Sequence, residues 1–154
     1  GALPDNSHGY TQDPATHLVP IIAKAVANGE PVQVFGGDYD TADGTAERDY
    51  THLCDITSAH VSAMNYLTME DNQSGAFNIG MGNPASVLDV IKEFEKVTGK
   101  TIEYTITDRR PGDSAKTFAD ISKATQTFGW HPQYTLTDIV ENAWAWETKK
   151  KRKK

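Results

Sequence analysis

Residues 18–35, LVPIIAKAVANGEPVQVF, set two apolar periods back to back. Leu18, Ile21, Ile22, Ala25 and Val26 recur at spacings of three and four, the stripe of an amphipathic helix. Asn28-Gly29 is a stop signal. Pro20 is tolerated because it falls in the first turn, where its missing N–H has no intrahelical partner. Val32 to Phe35 then reads as a short strand. A helix feeding a strand this directly places the chain in the α/β class.

The alternation continues downstream. A polar loop from Gly36 to Ala46 leads to a strand-like run, Arg48 to Leu53, and Asp55 opens a helix with Ile56, Ala59, His60, Ala63, Met64 and Leu67 on one face. Ala76 to Ile79 reads as a short strand ending in Gly80-Met81-Gly82. Ser86 with Asp89 resembles a capping box for a helix using Val87, Leu88, Ile91, Phe94 and Val97, stopped by Gly99. Thr101 to Ile106 alternates like a half-buried strand. A charged turn, Asp108 to Asp113, leads to a strand around Phe118. A brief helix from Ile121 to Gly129 follows, then a last helix through Ile139, Val140, Ala143, Trp144 and Trp146. The first fifteen residues are polar and aperiodic, a surface loop.

At 154 residues, 38% hydrophobic and 23% charged, the composition fits one ordinary soluble domain. The net charge of −6 hides an asymmetry. Lys149 to Lys154 are all basic, and without those six the chain has 9 basic against 21 acidic side chains, a body of −12. An acidic body argues against general nucleic-acid binding. The domain is therefore drawn as 1–148, with 149–154 a basic tail expected to be disordered, a frayed terminus or cloning remnant. No apolar run approaches the roughly 18 residues of a membrane span. The lone Cys54 allows no intrachain disulfide, so a reducing, cytoplasmic setting is expected. The chain opens on Gly1, without Met or a signal peptide, which reads as a cut.

Generic site chemistry is sparse. There is no Cys-x-x-Cys pair and the histidines are scattered, which disfavours zinc. Asp38, Asp40 and Asp43 invite a calcium-loop reading, but the glycine falls one place late at Gly44 and the third ligand position is Ala42. Gly80-Met81-Gly82 lacks both a third glycine and a P-loop lysine, so it reads as a turn. Cys54 stands beside His52 and Asp55 in sequence, but strand neighbours point to opposite faces, so it reads as packing.

The segments taken together say more. Thr16-His17-Leu18-Val19-Pro20, Val34-Phe35-Gly36-Gly37-Asp38-Tyr39-Asp40-Thr41, Arg48-Asp49-Tyr50-Thr51-His52, Phe77-Asn78-Ile79-Gly80, Arg109-Arg110-Pro111-Gly112-Asp113 and Gly129-Trp130 follow in this order and spacing. The set closely resembles the C-terminal half of the UDP-glucose 4-epimerases, extended short-chain dehydrogenases/reductases with a Rossmann-type fold. The resemblance runs to about Trp146 and implies the substrate-binding part of that fold, with the cofactor domain absent.

What it implies for the site is specific. Arg48 and Arg110 match the family's two diphosphate-contacting arginines, whose planar donor forks suit phosphate oxygens. Asp113 matches the acid that meets the ribose hydroxyls, and Phe35 the aromatic against uracil. Leu18, with His17 beside it, matches the loop on the substrate backbone, although many members have Asn in place of His17. Arg109 is expected to support Arg110, while Asp49 and Tyr50 brace the arginine strand. Thr117 matches a position near the sugar's 2-substituent where a bulky tyrosine disfavours N-acetyl sugars. The intact enzyme is therefore expected to take UDP-N-acetylhexosamines as well as UDP-glucose and UDP-galactose.

Family members oxidise the sugar's 4-hydroxyl with bound NAD and reduce it from the other face. They use an N-terminal Gly-x-x-Gly-x-x-Gly loop and a Tyr-x-x-x-Lys pair, and neither occurs in this sequence. No catalytic residue, cofactor-binding residue or metal ligand is therefore assigned. The implied partner is the missing N-terminal half, in an enzyme of galactose metabolism that is a homodimer when intact. The rival readings are a related nucleotide-sugar epimerase or dehydratase fragment, a non-catalytic nucleotide-sugar-binding module, and an interaction protein working through its basic tail.

Overall fold

The computed structural model describes residues 1–69 and 74–152. Among these residues ten elements follow a long irregular opening: α1 Leu18–Asn28, β1 Val32–Phe35, β2 Glu47–Arg48, α2 Leu53–Leu67, β3 Ala85–Ser86, α3 Val87–Thr98, β4 Tyr104–Thr107, β5 Lys116–Thr117, α4 Ser122–Phe128 and α5 Leu136–Arg152. The class is α/β. β1 and β4 pair in parallel, Val32 opposite Tyr104 and Phe35 opposite Thr107. β2 is the middle of a second small sheet, antiparallel to β3 and parallel to β5.

Helices α1, α3 and α5 pack around β1. Ile22, Val32, Val34, Val90, Phe94 and Val140 are fully enclosed there. The hydrophobic stripe of α3 delivers Val90, Ile91 and Phe94 to this core, and its start is fixed by the expected capping box. Ser86 Oγ accepts from the Asp89 amide at 2.9 Å, while Asp89 Oδ2 accepts from the Ser86 amide at 3.1 Å. A smaller cluster joins Ala59 of α2, Ala124 of α4 and Trp130.

The structure departs from the sequence expectations in several places. The strand expected at Arg48 to Leu53 stops at Arg48, because Asp49 turns aside to accept three backbone amides and His52 caps the next helix. Helix α2 accordingly begins at Leu53 rather than Asp55. Residues 76–79 form no ladder among the described residues, since no neighbouring strand presents an edge to them; Phe77 and Ile79 pack on the smaller cluster instead. Helix α5 carries on through Lys149 to Arg152, so most of the basic run expected to be a disordered tail is helical; Lys153 and Lys154 lie outside the described residues.

The face expected to bury α2 is largely open. Only Asp55 and Ala59 are buried, whereas Ile56, Met64 and Leu67 are exposed, Met64 at 60%. Tyr104 and Ile106 on β4 and Phe118 beyond β5 are exposed too.

At the start of α2, His52 is buried at 2% exposure. Its Nδ1 accepts from the Cys54 amide at 3.1 Å, and its ring stacks on Tyr134 with centroids 4.1 Å apart. Burial pulls the His52 pKa below the ordinary imidazole value, against the opposing charge of Asp55. The unfolded chain thus takes up this proton first, so the stability His52 contributes is complete above about pH 6.5 and is lost as pH falls through the lowered folded value. His52→Asn keeps a capping oxygen and removes the titration. Thermal melts between about pH 7.5 and 5.5 are expected to show the wild type losing more stability than the variant. Equal losses would mean that His52 does not set the acid limb.

Candidate functional site

A cavity of about 660 Å³ opens between α1, β1 and the β2 sheet, within the size range of small-molecule sites. Leu18, Ile21, Lys24 and Ala25 of α1 face it, as do Gln33 and Phe35 of β1, Arg48 and Tyr50, and the pair Arg110 and Asp113. Residues 13–16 of the opening loop form its rim, tied to α1 by a 2.7 Å ion pair between Asp13 and Lys24.

Local chain geometry assembles the charged end. Arg110-Pro111-Gly112-Asp113 forms a β-turn closed by the Asp113 amide donating to the Arg110 carbonyl at 3.2 Å. Proline presets the first corner, and Gly112 supplies φ +84° at the second, the signature of a type II turn. The turn sets Arg110 and Asp113 side by side at the cavity. β2 brings Arg48 to the same place. Arg48 Nη1 donates to the carbonyls of Glu47 and Ser114 at 2.8 and 2.9 Å, and Nη2 lies 3.5 Å from Asp113 Oδ1.

Two arginine–aromatic stacks stand above. The Arg110 guanidinium lies 3.8 Å over the Phe35 ring, and that of Arg109 lies 4.3 Å over Tyr39. Arg109 is also pinned to Asp38, Nε to Oδ1 at 2.6 Å; this pairing holds the Asp38 carboxyl below its usual range. Burial pushes the Tyr50 phenol up to about 12, against the opposing pull of Arg48, so at neutral pH it is a neutral donor in the cavity wall.

Five of the seven residues singled out in the sequence therefore meet in one cavity: Leu18, Phe35, Arg48, Arg110 and Asp113. The other two do not line it. His17 occupies the N-cap position of α1 without a side-chain cap bond, and its ring stands edge-on to Tyr10. Thr117 sits on β5 opposite Arg48, with Oγ1 2.7 Å from Ser114 Oγ. Sequence reasoning missed Lys24, Gln33 and Tyr50 as cavity residues. Gln33 could have been found, since alternation along β1 puts it on the same side as Phe35.

The other motifs resolve into structure. Asp49 brings its carboxylate to the Met81 and Gly82 amides at 2.7 and 3.3 Å and to Ala119 at 3.0 Å. A side chain on Gly80 would strike this carboxylate. The two amides that a phosphate would need at Gly80-Met81-Gly82 are thus taken, and a fixed anion sits against them. Asp43 is likewise committed, to Thr45 and to Ser86 Oγ at 2.5 Å. Among the described residues no three His, Cys, Asp or Glu side chains gather to hold a metal, and no helix is long and apolar enough to cross a membrane.

Several known proteins resemble this chain. The UDP-glucose 4-epimerase of Lacticaseibacillus casei is 43% identical over 148 residues, covering 95% of this chain and 44% of its own. Among solved structures, the UDP-glucose 4-epimerase of Bifidobacterium longum in complex with NAD+ and UDP superposes with TM-score 0.88 at 40% identity, covering 97% and 44%. That of Stenotrophomonas maltophila, with bound NAD and formylated UDP-arabinopyranose, gives 0.89 at 40%, covering 94% and 43%. The chain thus spans less than half the length of these relatives. Over residues 6–143 it matches the family profile described as GDP-mannose 4,6-dehydratase, and it belongs to that family.

Proposed function

We propose that this chain is the UDP-sugar-holding part of a UDP-glucose 4-epimerase, the half that follows the cofactor-binding half. The observation that carries this reading is the meeting of Arg48, Arg110, Asp113 and Phe35 in one cavity. Paired guanidinium groups suit a diphosphate, a carboxylate beside them can accept from ribose hydroxyls, and an aromatic ring offers a shelf to uracil. Leu18 serves at the start of α1, where free backbone amides favour anions. His17 flanks it, and Tyr50 adds a neutral donor. UDP-glucose and UDP-galactose are the ligands proposed; the wider acceptance of UDP-N-acetylhexosamines expected from Thr117 applies only if the sugar reaches past the cavity to β5, where Thr117 lies opposite Arg48.

NAD belongs to the remainder of the enzyme in this reading. The Gly80–Gly82 turn is occupied by Asp49, and the sequence holds no Tyr-x-x-x-Lys pair, so no redox step is assigned to these residues. The remainder also supplies cover for the open faces of α2 and β4 and a neighbouring strand for residues 76–79. The chain alone is inactive; the intact enzyme is a cytoplasmic homodimer of galactose metabolism. The family's dehydratase description keeps a nucleotide-sugar dehydratase as the second reading.

Calorimetric titration of UDP, with ADP as control, tests the proposal. UDP is expected to bind selectively, and Arg110→Ala to weaken it by at least about tenfold, the scale of one lost charge-assisted contact. Equal binding of UDP and ADP, or an unaffected variant, would overturn it. Reading the coding sequence ahead of Gly1 for a Gly-x-x-Gly-x-x-Gly segment checks the placement.

A further inference from the structure

We infer that Arg110 is a gate as well as a ligand: in the empty cavity its guanidinium occupies the shelf on Phe35, and a ligand must displace it to use both. This rests on the proposed reading of Phe35 as the base shelf. The 3.8 Å separation is stacking contact, and one ring face cannot carry a guanidinium and a nucleobase together. Phe35 shares the cavity side of β1 with Gln33, so the contested surface is the surface a ligand would meet.

The cavity's two arginines and their neighbour differ in how firmly they are held. Arg48 is fixed by two backbone carbonyls and Asp113, and Arg109 by Asp38 and Tyr39. Arg110 makes no ion pair among the described residues; the Phe35 ring is its partner. A single cation–π contact is weak enough to exchange. An arriving diphosphate draws the guanidinium off the ring, and that loss is made good only if the ligand brings a planar ring to take its place. The gate therefore lowers the affinity for any diphosphate that must free Arg110, and a nucleoside diphosphate recovers that loss through its own base on Phe35 whereas a bare diphosphate does not.

The test compares inorganic pyrophosphate with UDP on the whole chain, as wild type, Phe35→Leu and Phe35→Tyr, with circular dichroism confirming each fold. Phe35→Leu is expected to bind pyrophosphate about two- to fivefold more tightly than wild type, since Arg110 is released from the ring. It is expected to bind UDP about tenfold more weakly, since the shelf is gone. Phe35→Tyr keeps a ring and should restore both wild-type values. Pyrophosphate that binds Phe35→Leu no better than wild type, or binds neither, overturns the gate. If pyrophosphate tightens as expected but UDP binds wild type no better than pyrophosphate, the contact is real and the base-shelf reading fails, taking the selectivity with it.

Discussion

Asp55→Ala is expected to lower the stability of the chain by about 3–5 kcal/mol, a large part of the 5–15 kcal/mol typical of a domain. Asp55 is 1% exposed, and its two carboxylate oxygens accept from the Gln133 and Tyr134 amides at 2.9 and 3.2 Å. It stands in the first turn of α2, where the helix dipole favours an anion. The carboxylate is the staple joining α2 to the segment between α4 and α5. Alanine removes two charge-assisted bonds and strands two backbone donors away from water, and the stranded donors cost more than the lost bonds. Asp55→Asn should recover little, because its NH2 would face an N–H across one of those contacts. Denaturant unfolding measures the difference, and a loss below about 1 kcal/mol would mean that water reaches both amides.

That staple shows what was legible in the sequence and what was not. The helices α1, α3 and α5 were readable because periodic apolar residues and local stop and start signals, Asn28-Gly29 and the Ser86 box, act over a few positions. The arginines of the cavity were readable from the family's motif order, and the Arg110–Asp113 turn from its Pro-Gly chemistry. The role of Asp55 was not, because its partners lie 78 and 79 positions away. The same is true of Asp49, whose three amides come from two remote loops. It ended the strand early and closed the Gly80–Gly82 turn, two effects that no local pattern announces. The expected strand at 76–79 and the expected buried face of α2 failed for a further reason: both are patterns for packing against something, and among the described residues that something is absent. Apolar periodicity states that a face will be covered, not what covers it.

Arg48→Ala is expected to weaken UDP binding by about 100-fold, the largest single effect in the cavity. Two contributions act together. The variant loses a guanidinium from the proposed diphosphate end, and it leaves the Asp113 carboxylate, now 3.5 Å from Arg48 Nη2, as an uncompensated negative charge facing any anionic ligand. Placing the change in an Asp113→Asn background separates them: the penalty for losing Arg48 should then shrink by several fold, since the repulsion is gone. Arg48→Lys should recover only part of the affinity, because a lysine lacks the planar fork that lets Nη1 hold the Glu47 and Ser114 carbonyls while Nη2 is left for a second partner. The fold itself should survive. The neighbouring Glu47–Lys116 ion pair at 2.6 Å and the β2–β5 ladder do not involve the Arg48 side chain. An affinity within about threefold of wild type, in a folded Arg48→Ala chain, would make Arg48 a strut for the Ser114 loop and leave the diphosphate to Arg110 alone.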